Sequence, residues 1–212
     1  MRKIILIGAG GHCKVIIDII KSTGLYEIVG ITDKSEVDKK ILDIDVIGDD
    51  SVLEEIFETG VEYAFICIGG ISDLNIRNII YNKLKKIGFK IPILIHKNAV
   101  ISPYARIGEG TCVMANAVIN ADANIGCNCI INTSSVIEHD CNIDDNSHIS
   151  PGTSLAGGVR IGYNSHIGIG ATIIQSINIG NNVTVGAGSV VIEDIVDNTV
   201  AVGVPAKIIK YK

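Results

Sequence analysis

The chain contains no tryptophan, and aromatic residues of all kinds make up only 4% of it. Its interior must therefore be filled without large rings. It also lacks a basic excess: 18 Lys and Arg stand against 23 Asp and Glu, a net charge of −5. That excludes the positive stripe of a nucleic-acid binder. No run of about 18 apolar residues occurs, so no membrane span is expected. "MRKIILIGAGG" begins like a signal peptide but turns to glycine at Gly8, and it reads as a first strand. None of the six cysteines forms a Cys-x-x-Cys pair. Cys127 and Cys129 are two apart, which would place them on one face of a strand. The spacings predict reduced, buried thiols in a cytoplasmic protein.

What is abundant is isoleucine, valine and glycine, the last with 23 copies. Branched aliphatics with few rings suggest a β-rich solenoid. Residues 1–92 do not yet show it. There "KIILIG", "YEIVGITD" and "YAFICIGG" read as strands. "HCKVIIDIIKSTG" carries apolar residues at helical spacing and stops at Gly24. "DSVLEEIFETG" starts with an N-cap candidate at Asp50 or Ser51. A third helix runs through "DLNIRNIIYNKLKKIG". The order predicts a small Rossmann-like α/β unit of about four parallel strands.

From residue 93 to 212 the pattern changes. Every sixth residue from Ile95 to Val191 is Ile, Leu or Val, without a break. If a third of positions were aliphatic, chance would give this roughly once in 10⁸, so the segment is a repeat. The position two before each aliphatic is usually small, as at Ala117, Ser135, Cys141 and Ser165, and both should point inward. Glycine often follows directly, at 108, 126, 162, 168, 180 and 186. Glycine and asparagine suit the unusual φ of corners. Three six-residue sides would close a triangular coil of 18 residues, the coils stacking into a prism.

This hexapeptide pattern resembles the left-handed parallel β-helix of the hexapeptide-repeat acyltransferases, as does the ending "VAVGVPAKIIK". "GAGGHCKVI", "IGGISDLNIR", "LIHKNAVIS" and "NTSSVIEHDCNI" together resemble the NeuD/PglD-type sugar acyltransferases. The resemblance spans essentially the whole chain. It implies a homotrimer with acetyl-CoA held between subunits, and a nucleotide-sugar substrate bound by residues 1–92.

His139 and Asp140 fall at a corner, two and three residues after Ile137. One coil of 18 residues further on lies Gly157, whose bare N–H could donate to an oxyanion. His139 would take the proton of an attacking amine or hydroxyl, and Asp140 would orient the imidazole. The rate should then rise with pH through one group near 6–7. The resemblance adds His148 near the acyl-CoA thioester, and Ile169 and Ala187 along the acetyl-CoA groove. His166, one coil after His148, reads as part of a surface ladder. A carbonic-anhydrase-type zinc needs three converging histidines. His148 and His166 make only two and His139 lies on another side, so no metal is expected.

The loop Gly8-x-Gly10-x-x-Cys13 follows a strand and opens a helix. A dinucleotide fingerprint wants glycine at 13. Asp33 ends the second strand as a ribose-binding acid would, so NAD is a rival ligand, but the unit is short for a full dinucleotide site. Backbone N–H groups at a helix start attract phosphate in either case. By resemblance Gly10, Gly11, His12, Asp33 and Gly69 contact the nucleotide of a nucleotide sugar. Thr32 stands where the family often has an acid, Cys13 where it has Gly, and Gly70 where it has Asn. The expected activity is acetyl-CoA-dependent N-acetylation of a nucleotide-linked 4-amino-4,6-dideoxy sugar. The alternatives are O-acetylation of sialic acid or a related glycan sugar, and a sugar-nucleotide sensor without catalysis.

Overall fold

The computed structural model describes residues 1–37, 39–70 and 74–212. The centre of "IGGISDLNIR", residues 71–73, lies outside the described residues. Strand β1 (Arg2–Ile7) is buried from Ile4 onward, as a central strand covered on both faces must be. It pairs in parallel with β2 (Tyr26–Thr32) and β5 (Tyr63–Ile66). Beyond β2 lie β3 (Lys40–Ile41) and β4 (Ile44–Gly48), giving the order β3-β4-β2-β1-β5. The sheet thus has five strands rather than four. The extra one, β3, is only two residues long and antiparallel to β4.

Helix α1 (Gly11–Thr23) buries Cys13, Ile16, Ile17, Ile19 and Ile20 and ends at Gly24 with φ 65°. The next helical segment is capped differently from expectation. Asp49, not Asp50 or Ser51, accepts the Ser51 N–H at 2.8 Å, ahead of a 3₁₀ turn and α2 (Leu53–Glu58). The Asp50 carboxylate is used elsewhere, accepting the Thr32 hydroxyl at 2.9 Å. Helix α3 (Asn75–Ile87) buries Arg77, Ile80 and Leu84 and ends at Gly88.

From β6 (Leu94–Ile95) to β22 (Val190–Val191) the chain forms two-residue strands. From β6 to β19 (Thr172–Ile173) each pairs in parallel with the residue 18 further on, as Ile131 with Ile149, Ile149 with Ile167 and Ile167 with Val185, and the last coil is two residues shorter, Val185 pairing with Ala201. This is the left-handed β-helix, closed at its end by the hairpin β23 (Thr199–Gly203) and β24 (Ala206–Tyr211). The aliphatic ladder points inward from Val113 onward. Ile95 is instead 37% exposed, and Ile101 and Ile107 are half-buried. Their strands end their sheets, so no coil lies beneath them.

The corners also differ in detail. Positive φ falls at Asn128, Ser134, Asp140, Asn146, Gly152 and Gly158, three residues after each aliphatic, not at the glycine directly after it. Those glycines answer to stacking: a Cβ on Gly108 would lie 2.6 Å from the Gly126 carbonyl carbon of the next coil. All six cysteines are free, five of them buried and Cys127 half-buried. Cys127 and Cys129 do not share a face. They lie at a corner, where Cys129 turns into the coil and Cys127 stays outside.

One face of the prism is covered by the N-terminal unit. It carries β9 (Cys112–Val113), β12 (Ile130–Ile131), β15 (His148–Ile149) and β18 (His166–Ile167). Cys112, Met114 and Ile130 share one buried cluster with β1 and α1. His166 is therefore no surface rung: it is 9% exposed, stacks on His148 with ring centroids 5.0 Å apart and meets the Ser150 hydroxyl at 2.8 Å.

Candidate functional site

His139, Asp140 and Gly157 come together at the corner between the two faces turned away from the N-terminal unit. Asp140 takes the left-handed conformation, φ 61°, which turns its carboxylate back on its neighbour. The His139 Nδ1 to Asp140 Oδ2 distance is 2.7 Å. A carboxylate only accepts, so the proton sits on Nδ1 and Nε2 keeps its lone pair. The ring lies over Gly157: a Cβ there would be 2.7 Å from both Cε1 and Nε2 of His139. Gly158 N–H donates to His139 O, and Ser176 N–H to Gly157 O. Among the described residues the Gly157 N–H makes no bond. At another corner three such amides are taken by side chains of the next coil. Cys127 N–H goes to Asp145, Tyr163 N–H to Asn181 and Asn181 N–H to Asp197. The amide beside His139 is left open to an acceptor from outside.

The Asp140 hydrogen bond raises the His139 pKa above its ordinary 6.5. A base must be neutral, so kcat should climb with pH through a midpoint above 6.5, not below it. Asp140→Asn is expected to move that midpoint down toward 6.5 and to lower the plateau. A pH–rate profile of both proteins checks this, and an unmoved midpoint would separate the acid from the base.

Gly10, Gly11, His12, Asp33 and Gly69 line one cavity of about 710 Å³. Gly10 and Gly11 stand at the start of α1, where N–H groups and the helix dipole favour an anion. Asp33 holds the loop: Oδ2 accepts Ala9 N–H at 2.8 Å, and Oδ1 accepts Ser35 N–H and hydroxyl, both at 2.9 Å. Partial burial pushes its pKa up, but these donors outweigh it and hold the carboxyl below its ordinary value. His12 is turned under the loop, and its Nε2 is buried without a hydrogen-bond partner among the described residues. Burial, then Arg77, then His148 depress its pKa to about 3, so it is neutral. A side chain on Gly70 would overlap Leu74, a local reason for glycine at that position.

The opposite wall comes from the β-helix. His148, Asn132 and Met114 line the same cavity. His148 Nδ1 donates to Gly70 O at 2.5 Å, and Asn132 Nδ2 lies 3.0 Å from His148 Nε2. Burial lowers its pKa to about 4, against the Gly70 bond, with smaller contributions from His166 and Arg77. Ile169 and Ala187 are both exposed and sit elsewhere, on the corner edge continued by Gly170 N–H to Pro151 O and Gly188 N–H to Ile169 O. That edge passes Pro151, three residues beyond His148. His148 thus joins the glycine-loop cavity, while Ile169 and Ala187 line an edge leading away from it.

Sequence reasoning missed Asn132, Met114 and Arg77. Asn132 opens "NTSSV" and Arg77 ends "DLNIR", but nothing local in either stretch says which faces the other half. No helix among the described residues is long and apolar enough to cross a membrane.

Known proteins are similar to this chain over most of its length. Residues 3–84 match the PglD N-terminal domain family. The chain is 40% identical to PerB of Caulobacter crescentus, solved in complex with CoA and GDP-perosamine. That match covers 98% of this chain and 97% of that one, with a TM-score of 0.93. It is 38% identical to the acetyltransferase domain of PglB from Neisseria gonorrhoeae, solved with acetyl coenzyme A. There the coverage is 98% and 99%, with a TM-score of 0.91. WeeI from Acinetobacter baumannii, at 22% identity and a TM-score of 0.73, shares the fold. With near-complete coverage at this identity, a glycine-loop unit docked on a hexapeptide prism and an imidazole laid over a bare corner glycine, the chain belongs to the NeuD/PglD-type sugar acyltransferases.

Proposed function

We propose that the protein moves the acetyl group of acetyl-CoA onto the amine of a nucleotide-linked 4-amino-4,6-dideoxy sugar, in the cytoplasm and as a homotrimer. The observation that carries this reading is the His139–Asp140 pair over Gly157, with Nε2 free to accept a proton. The neutral amine attacks the thioester carbon as His139 Nε2 takes its proton, and the Gly157 N–H steadies the oxyanion. Collapse expels the CoA thiolate, which recovers the proton from the imidazolium. No charge is left on the protein. Residues 1–92 would hold the nucleotide, with its phosphates at Gly10 and Gly11, and residues 93–212 would transfer the acyl group. His148 would lie beside the thioester, with Ile169 and Ala187 along the pantetheine.

What supports a trimer is the spacing within one chain. The cavity opens on the covered face, while His139 stands at the opposite corner. A side of six extended residues spans about 20 Å, too far for a sugar amine held by the glycine loop. A neighbouring copy whose His139 corner meets this cavity would complete the site. Six free thiols support the compartment.

A thiol-release assay with acetyl-CoA against a panel of UDP-, dTDP- and GDP-linked 4-amino sugars tests the reading. Turnover on one of these and none on sialic acid is expected. Turnover on sialic acid alone would replace it with O-acetylation. Acetyl-CoA binding without turnover on any sugar would leave a sensor.

A further inference from the structure

The largest fully buried side chain of the protein is a charged one, Arg77, at 0% exposure. Its guanidinium joins the two halves. Nη1 donates to Ile68 O at 2.5 Å and to Ile66 O at 3.4 Å. Nη2 donates to Asn128 Oδ1 at 2.8 Å and to Asn128 O at 3.3 Å. The first pair of acceptors ends β5 and begins the rim of the cavity, which Ile68, Gly69 and Gly70 line. The second pair belongs to a corner of the β-helix.

Asn128 is the first rung of a ladder of carboxamides. Its Nδ2 donates to Asn146 Oδ1 at 2.8 Å, Asn146 to Asn164 at 2.8 Å, Asn164 to Asn182 at 3.4 Å and Asn182 to Asn198 at 2.9 Å. All five residues have positive φ. A guanidinium can only donate, so Asn128 must turn its oxygen to Arg77 and its NH₂ to the next coil. Each rung then inherits the same direction. The amide dipoles align with their oxygens toward the cation, and such chains polarise one another. The ladder also reaches the segment after the rim, since Asn146 Nδ2 donates to Leu74 O at 3.0 Å.

We propose that Arg77 is a positioning residue for the nucleotide-sugar cavity: clamped to the oriented asparagine ladder, it fixes the height of the 66–70 rim over the β-helix wall formed by Asn132 and His148. It touches no substrate and acts through that rim. This rests on the nucleotide-sugar reading above for the identity of the ligand, but not for the clamp.

Two measurements on the full-length protein test it. Amide hydrogen exchange in Arg77→Met, which keeps an apolar stem of similar length but loses all four bonds, is expected to quicken in residues 66–70 while the inner coils stay protected. In the acetyl-transfer assay, KM for the best nucleotide sugar is expected to rise roughly tenfold to a hundredfold, with KM for acetyl-CoA moving less than about twofold. Arg77→Lys keeps the charge but cannot bridge both acceptors. It is expected to fall between, and it carries the test if the Met variant does not fold. Asn182→Gly removes a distant rung at a position whose φ suits glycine, and should change neither KM. Unchanged exchange in 66–70, equal shifts in both KM values, or the same KM change in Asn182→Gly would overturn the proposal. Failure of the wild type to use any nucleotide sugar would fall on the functional reading and leave the exchange result standing.

Discussion

His139→Ala is expected to lower kcat by about 10²–10⁴-fold while the protein keeps its fold. The side chain is 63% exposed, and its hydrogen bond runs to an equally exposed neighbour, so removing it opens no cavity. The ladder beneath is untouched, because Ile137 and Ile143 face inward on either side of the corner. What is lost is the one lone pair aimed outward beside the open Gly157 amide. The amine must then lose its proton to water. Turnover of acetyl-CoA against the best nucleotide sugar, with circular dichroism as the control for fold, decides it. Near wild-type turnover would remove His139 as the base, and a collapsed spectrum would instead mark the corner as structural.

The second large effect comes from adding a single carbon. Gly157→Ala would place its Cβ 2.7 Å from Cε1 and Nε2 of the imidazole, well inside contact distance. The main chain there can accept alanine, since Gly157 is not among the residues with positive φ. The ring must move instead, and it is free to do so because it faces solvent. A shift of about 1 Å in a reacting group can cost roughly 10²-fold in rate. We expect a fall in kcat of that order, with thermal stability nearly unchanged. The outcome separates contact from coincidence. If Gly157→Ala keeps full activity, the imidazole does not need its observed seat over residue 157. Paired with Asp140→Asn, the series distinguishes seat from proton affinity: Gly157→Ala should lower the plateau and leave the pH midpoint alone, whereas Asp140→Asn should move the midpoint.

The solenoid was legible because its signal is periodic and redundant. An aliphatic every six residues overdetermines the register, so the residue beside each rung, such as Ser154 or Cys112, need carry little information. The meeting of His139 with Gly157 was legible for the same reason: once the coil length is 18, counting from His139 arrives at Gly157. Glycine was read for one purpose where it serves two. The residue directly after each aliphatic lacks a side chain because the next coil's backbone lies against it, while the turning residue three after the aliphatic accepts Asn, Asp or Ser as readily as Gly.

The docking of the halves was not legible. His166 looks like a solvated rung from its spacing alone, and only the covered face explains its burial. Arg77 sits at helical spacing with Ile80 and Leu84, on the side of α3 where an apolar residue would be expected. Its partner Asn128 is 51 positions away, beyond the reach of any local pattern.

Taken alone, the order of residues determined the two halves, the 18-residue coil and the meeting of His139, Asp140 and Gly157 at one corner, because each follows from spacing along the chain. Tertiary structure decided which prism face is covered, that His148 shares a cavity with the glycine loop, and that Arg77 meets Asn128. Those depend on how two finished surfaces fit, and complementarity between surfaces leaves no period in a sequence.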